Sequence, residues 1–95
     1  MAIKINCINK DNGNHENPYE AISHYGWVED VTGKSDVTAR STVVGWVESG
    51  TRAYVSSYEG VVDCFVNRSP RGTKFLQTNA DSRSSNNLLN LPECR

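Results

Sequence analysis

The sequence is poor in the residues that announce chemistry: three cysteines, two histidines, three prolines and one methionine. No apolar run approaches the ~18–20 residues that a membrane helix needs, so no membrane partner is expected. The opening residues, Met1-Ala2-Ile3-Lys4-Ile5-Asn6, lack the apolar stretch and cleavage pattern of a secretion signal. Excess charge is missing as well, since ten Lys and Arg against eleven Asp and Glu leave a formal charge of −1. A general nucleic-acid binder draws most of its affinity from neutralising phosphates and carries a basic excess, so nucleic acid is disfavoured as a partner. An odd cysteine count without a secretion signal argues against a disulfide framework and makes the cytoplasm the default location. Cys7 and Cys64 read as small buried strand residues, and Cys94 as exposed and oxidisable. A zinc site would have to be assembled from Cys7, Cys94 and either His15 or His24. No Cys-x-x-Cys spacing supports one, so neither metal nor cofactor is assigned.

What is present suffices for one domain over the 95 residues. The apolar share of 37% and mean hydropathy of −0.56 are low, but ten valines and eight aromatic residues lift the chain above the disordered regime. Ile3, Ile5 and Cys7 alternate with Lys4 and Asn6, the period-2 pattern of a half-buried strand. Asn12-Gly13 then signals a turn. Residues 21–28 read as a second strand, with Ile22, His24, Gly26 and Val28 on one face and Ser23, Tyr25 and Trp27 on the other. A short helix starting at Pro18 competes, but Tyr25-Gly26-Trp27-Val28 is poor helix sequence. Val37, Val43, Val44 and Val47 recur at helical spacing, predicting a helix over 36–49 with Ser35 or Asp36 as cap and Gly50 past its end. Its valines and Gly45 are weak helix formers, so a sheet must lie beneath it. Residues 52–57 and 61–68 read as a hairpin around Tyr58-Glu59-Gly60, and 73–78 as a last strand. A polar stretch closes on Leu88-Leu89-Asn90-Leu91-Pro92, a tail whose leucines dock on the core edge. The expected fold is α+β, in the order β-β-α-β-β-β: an antiparallel sheet of about five strands with one helix on one face and a docked carboxyl-terminal tail.

Lys74-Phe75-Leu76-Gln77-Thr78-Asn79-Ala80-Asp81 and Asn86-Asn87-Leu88-Leu89-Asn90-Leu91-Pro92-Glu93-Cys94 resemble a family of small bacterial and phage proteins, the domain of unknown function 3892. Its members tend to read Lys-Tyr-Leu-x-Thr-x-Ala-Asp and then Asn-Leu-Leu-x-Leu-Pro-x-Cys. Ile22-Ser23-His24-Tyr25-Gly26 looks like the family's Ile-Thr-His-Ile-Gly, and the likeness runs over nearly the whole chain. Phe75 stands where the family has Tyr, and Gln77 where it has a basic residue. The resemblance implies the domain boundaries and carries no activity with it.

Catalytic patterns are missing. No Gly-x-Ser-x-Gly elbow accompanies the ten serines, and His24 could reach Asp63 or Asp81 only by accident of folding. Glu29-Asp30 reads as a pair of solvated turn acids rather than a glycosidase or nuclease pair. No phosphate loop or dinucleotide fingerprint occurs, and Asp11-Asn12-Gly13-Asn14-His15-Glu16 does not match the spacing of a calcium loop. No enzyme activity is therefore expected.

What remains is a binding surface. Tyr25, Trp27 and Tyr54 supply rings; Arg71, Lys74 and Arg83 supply cations; Asn86 and Asn87 offer donors and acceptors; His24 lies beside them in sequence. Trp46 and Phe75 are assigned to the core instead. This set leads us to expect a non-enzymatic protein that binds and sequesters a nucleotide-derived signal, as small phage counter-defence proteins do, and that assembles as a homo-oligomer. The alternative is a protein–protein module, an inhibitor of a host enzyme, with Trp27 and Tyr58 as anchors. A basic patch of Arg68, Arg71, Lys74 and Arg83 for nucleic acid ranks below both.

Overall fold

The computed structural model of the chain describes residues 2–11, 18–79 and 86–94. The expected strand at the start is β1, Ala2–Lys10, and it pairs antiparallel with β2, Ile22–Glu29. Two register shifts interrupt that pairing. Ile5 faces Trp27 but Cys7 faces Gly26, so Asn6 is an extra residue on β1. Asn9 faces His24 and Lys10 faces Ile22, so Ser23 is an extra residue on β2. Each bulge moves the following side chain to the other face. Ile3, Ile5 and then Ile8 are buried in the core, whereas Cys7 leaves it. On β2, Trp27, Tyr25 and then Ile22 are buried, and His24 is exposed. Strict alternation had placed Cys7 beside Ile5, and Ile22 beside His24; the bulges overturn both.

The predicted helix over 36–49 is divided. Its first part is a strand, β3, Ser35–Ala39, antiparallel to β2. Val37 and Thr38 suit an extended backbone, and the Trp27 indole donates to Thr38 Oγ1 at 2.9 Å. The helix, α1, is Arg40–Glu48; Ala39 stands at its cap position with no side-chain hydrogen bond, so neither Ser35 nor Asp36 caps it. Gly50, at φ 106°, ends it as the sequence suggested. Val43 and Val44 are its buried residues.

β4, Arg52–Ser57, returns beside β1 in parallel, and β5, Gly60–Asp63, folds back on β4 through the expected hairpin. The main sheet therefore has five strands in the order β3-β2-β1-β4-β5 and is mixed, not wholly antiparallel. A parallel neighbour needs a crossover, and the route through α1 supplies it. The expected strand over 61–68 breaks at Cys64, whose N–H donates to Ala53 O at 2.8 Å. Beyond the break, β6, Phe65–Arg68, pairs with β7, Lys74–Gln77, in a separate two-stranded sheet.

One face of the main sheet forms the core. Ile3, Ile5, Ile8, Tyr25, Trp27, Ala53 and Val55 cluster there with Val43 and Val44 of α1, Leu76 of β7 and Leu88. Leu88 opens a 3-10 turn, Leu88–Asn90, capped by Asn87. Among the described residues, no helix is long and apolar enough to cross a membrane.

The other face carries the largest departure from the sequence expectation. Cys7 and Cys94 form a disulfide with a Cα–Cα distance of 5.0 Å. The segment bearing Cys94 runs beside β1: Ile8 N–H donates to Pro92 O at 2.9 Å and Cys94 N–H to Ile8 O at 3.2 Å. A Cβ on Gly26 would collide with Cys7 Sγ and meet Cys94 Sγ at 2.8 Å, so only glycine fits beneath the sulfurs. Cys64 alone is a free thiol, buried as expected, and burial pushes it up to about 12.

Candidate functional site

The β6–β7 hairpin builds one wall of a surface cleft. Pairing of Asn67 with Phe75 and of Phe65 with Gln77 puts these four side chains on one face. The Asn67 amide donates to Gln77 Oε1 at 3.0 Å, tying the two strands together across that face. Beyond Arg68 the chain turns through Ser69, Pro70, Arg71 and Gly72. Ser69 is buried and anchors the turn: its N–H donates to Thr73 O at 2.9 Å, and its Oγ accepts from Thr73 N–H at 3.2 Å. Gly72 takes φ 88°, a left-handed conformation that closes the turn. Arg68 and Arg71 are thereby held at the same end of the hairpin.

The opposite wall is the turn before β2. Ala21 N–H donates to Pro18 O at 3.2 Å, and the Arg40 guanidinium donates to Glu20 O, fastening the turn to α1. Tyr19 is half-buried, and its hydroxyl donates to Asn87 Oδ1 at 3.1 Å. Between the walls lies a cleft of about 530 Å³ lined by Pro18, Tyr19, Glu20, Asn67, Arg68, Ser69, Pro70, Arg71, Phe75 and Gln77. Among the described lining residues, the charged ones are Glu20, Arg68 and Arg71, and neither guanidinium has an ion-pair partner among the described residues. The cleft thus offers an aromatic ring, two guanidiniums and a side-chain amide pair.

A second groove, about 590 Å³, lies on Trp27 and Trp46 with Glu29, Val31, Thr32 and Lys34. The two indoles meet edge to face at 5.5 Å and 87°. The Glu29 carboxylate is engaged by its own turn, accepting from Thr32 N–H at 2.6 Å and Thr32 Oγ1 at 2.7 Å. Those bonds hold its carboxyl below the usual range.

Eight of the nine residues singled out from the sequence are described, and they do not converge. Among those eight, Arg71 alone lines the hairpin cleft. Tyr25 is fully buried in the core, its hydroxyl accepting from Leu76 N–H at 3.1 Å, and burial pushes the phenol up to about 12. Trp27 is 6% exposed and packs in the core, which also removes it as an interface anchor. Asn86 and Asn87 are buried rather than presented to a ligand; Asn87 Oδ1 serves Tyr19 and the Leu89 N–H, at 2.9 Å. Lys74 is paired with Glu48 of α1 at 2.7 Å. Tyr54 lies on the open face, donating to Asp30 Oδ1 at 2.6 Å. His24 is exposed with Ser23 Oγ 2.9 Å from Nδ1, while Asp63, its suggested partner, pairs with Arg52 at 2.8 Å. Arg83, His15 and Asp81, with most of the suggested calcium loop, lie outside the described residues. Cys7 and Cys94, offered as zinc ligands, are bonded to each other. The sequence reading missed Tyr19, Asn67 and Gln77. For the last two a signal existed, because alternation along both hairpin strands puts them on one face; nothing local links Tyr19 to either.

Fold and cleft together define a small single-helix α+β protein with a mixed sheet and a basic, ring-bearing surface cleft. Within that class the chain belongs to the family described as "Protein of unknown function (DUF3892)", whose profile matches residues 4–92, as the tail motif suggested. No curated protein and no solved structure matches the chain.

Proposed function

We propose that the protein binds a small phosphorylated, ring-bearing molecule of nucleotide type in the cleft between the Pro18–Glu20 turn and the β6–β7 hairpin, without turning it over. The observation that carries this reading is the pair of guanidiniums, Arg68 and Arg71, without ion-pair partners among the described residues and sharing one cleft with the Tyr19 ring. Arginine forks match phosphate oxygens two at a time, and a phenol ring stacks on a base. The Asn67–Gln77 amide pair can read the polar edge of a base. A volume of about 530 Å³ falls within the range of small-molecule sites. In the cell such a protein would sequester its ligand, a counter-defence role in the cytoplasm, acting as a homo-oligomer.

Titration calorimetry of the intact chain against adenosine nucleotides, cyclic nucleotides and ADP-ribose tests this. One member of the panel binds, and Arg68→Ala with Arg71→Ala weakens it at least tenfold. Silence across the panel, or binding indifferent to both substitutions, overturns the reading. A second reading, a contact with another protein, draws on Tyr58 and Val61, which are 92% and 55% exposed on the β4–β5 hairpin. Loss of a stoichiometric partner on Tyr58→Ser would favour it.

A further inference from the structure

The geometry points to a redox latch: the Cys7–Cys94 disulfide clamps the segment around Cys94 to β1, and its reduction releases that segment and loosens the Asn87 acceptor of Tyr19 at the cleft. Four observations carry this. First, beyond the bond itself, two backbone hydrogen bonds at Ile8 tie residues 92–94 to β1, and Leu91 packs partly buried against the core. Pro92 and Glu93 are exposed, and Leu91 is half-buried. Leu88 is fully buried, so the segment has its anchor inside the core ahead of the exposed residues that the disulfide holds.

Second, the sheet is shaped for the bond. Gly26 lies beneath both sulfurs, where any Cβ would collide. Its backbone does not take a positive φ, so what requires a glycine there is the space the sulfurs occupy. Third, both sulfur-bearing residues are only half-buried and therefore within reach of a reductant, unlike Cys64.

Fourth, the held end connects to the cleft. Leu91 N–H donates to Leu88 O and Asn90 N–H to Asn87 O, so the 3-10 turn links the clamped residues to its own cap. That cap, Asn87, accepts from the Tyr19 hydroxyl at 3.1 Å. Loosening of the turn removes a fixed acceptor from the ring that lines the cleft. Where disulfides occur in reducing compartments they are usually transient or redox-sensing, and a bond between two half-buried residues, bridging β1 and a segment outside the sheet, is suited to that use.

The step balances. A dithiol reductant supplies two electrons, the Cys7–Cys94 bond breaks, each sulfur takes up a proton, and the reductant closes its own disulfide. The release itself needs no ligand; its consequence for affinity rests on the cleft reading above.

Amide hydrogen exchange on the full chain, oxidised and after dithiothreitol, tests the latch. Reduction speeds exchange at Ile8, Leu89, Leu91 and Cys94 at least tenfold, leaves those four far less protected than the central amides of β2 and β4, which only opening of the whole fold exposes, and shifts the Tyr19 ring resonances. Unchanged rates at those four amides in fully reduced protein overturn the proposal, and so does a single level of protection shared by them and the whole sheet. Gly26→Ala provides a second route: thiol titration in denaturant rises from one to three, and the released pattern appears without reductant. Retention of the disulfide in that variant counts against the latch. With ADP as the probe, oxidised protein binds more tightly than reduced. Absence of ADP binding in both states removes the cleft as its site and leaves the exchange result to decide the latch alone.

Discussion

The five-stranded sheet has one face turned toward α1 and β7 and another that no described helix or strand covers, and different interactions hold them. On the covered face Ile3, Ile5, Tyr25 and Val55 are at most 1% exposed and cluster with Val43, Val44, Leu76 and Leu88. Stability there scales with area withdrawn from water. The open face carries Cys7, Gly26, Arg52, Tyr54 and Asp63, where a covalent bond, an ion pair and a phenol–carboxylate hydrogen bond replace packing. The first face fixes the fold. The second can be altered chemically without emptying the core, which is why a switch is placed there.

The largest expected effect tests that contrast directly. Reducing the Cys7–Cys94 bond removes a link spanning a separation of 87 residues. Closure of a loop that long restricts the unfolded chain by about 4–5 kcal/mol. Urea unfolding of oxidised and reduced protein should show a loss of that order. A loss below about 1 kcal/mol would mean that the open face draws little from its covalent link.

Next comes the covered face. Ile5→Ala removes a fully buried core side chain of β1 and should cost about 3 kcal/mol, through lost burial and the cavity left behind. The matching change on the open face, Lys4→Ala, should stay within about 0.5 kcal/mol. Equal costs for the two would erase the distinction between the faces.

A polar group inside the apolar face sharpens the comparison further. Tyr25→Phe leaves the buried Leu76 N–H without its acceptor, at a cost of about 1–3 kcal/mol. The phenol also sets a pH limit. Its ordinary value of 10.0 rises to about 12 in the fold, and that of the Cys64 thiol rises from 9.0 to about 12. Below pH 9 both groups keep their protons in folded and unfolded chains alike. As pH climbs from about 9 to about 12, the unfolded chain releases protons that the folded one retains, so stability falls across that window. Chemical unfolding at pH 7, 9 and 11 should show the decline, and Tyr25→Phe should reduce its upper part.

The contrast between faces was partly legible in the residues. Alternation of Ile3 and Ile5 marked β1, and the Gly60 turn marked the β4–β5 hairpin, because local geometry alone dictates both. The bulges at Asn6 and Ser23 leave no local signal; they appear only when two strands are paired. β3 was hidden because Val37 fits the helical spacing of Val43, Val44 and Val47 as well as it fits a strand. The Cys7–Cys94 bond depends on a tertiary approach that spacing cannot report. In the cleft, Arg68 and Arg71 were visible as a basic stretch, but the partnership with Tyr19 is made by the fold. Choosing ligand residues by type selected Tyr25, Trp27, Asn86 and Asn87, all of which the core had already claimed.

The smallest effect belongs to the most conspicuous contact on the open face. Arg52 pairs with Asp63 at 2.8 Å and lies 4.7 Å above the Tyr54 ring. Both charged side chains are more than half exposed, at 53% and 64%. Water already solvates such a pair, and ordering two flexible side chains offsets most of the attraction. Arg52→Ala should therefore cost less than about 1 kcal/mol, with the difference shrinking in high salt. The Tyr54 phenol gives an independent readout. Its hydrogen bond to Asp30 raises it above the ordinary value, and Arg52 opposes that rise. Removing the guanidinium should push the phenol higher still, visible in an ultraviolet titration followed at Tyr54 by difference from Tyr54→Phe. A downward shift would show that Arg52 does not stabilise the phenolate, and that the cation above the ring is a packing contact only.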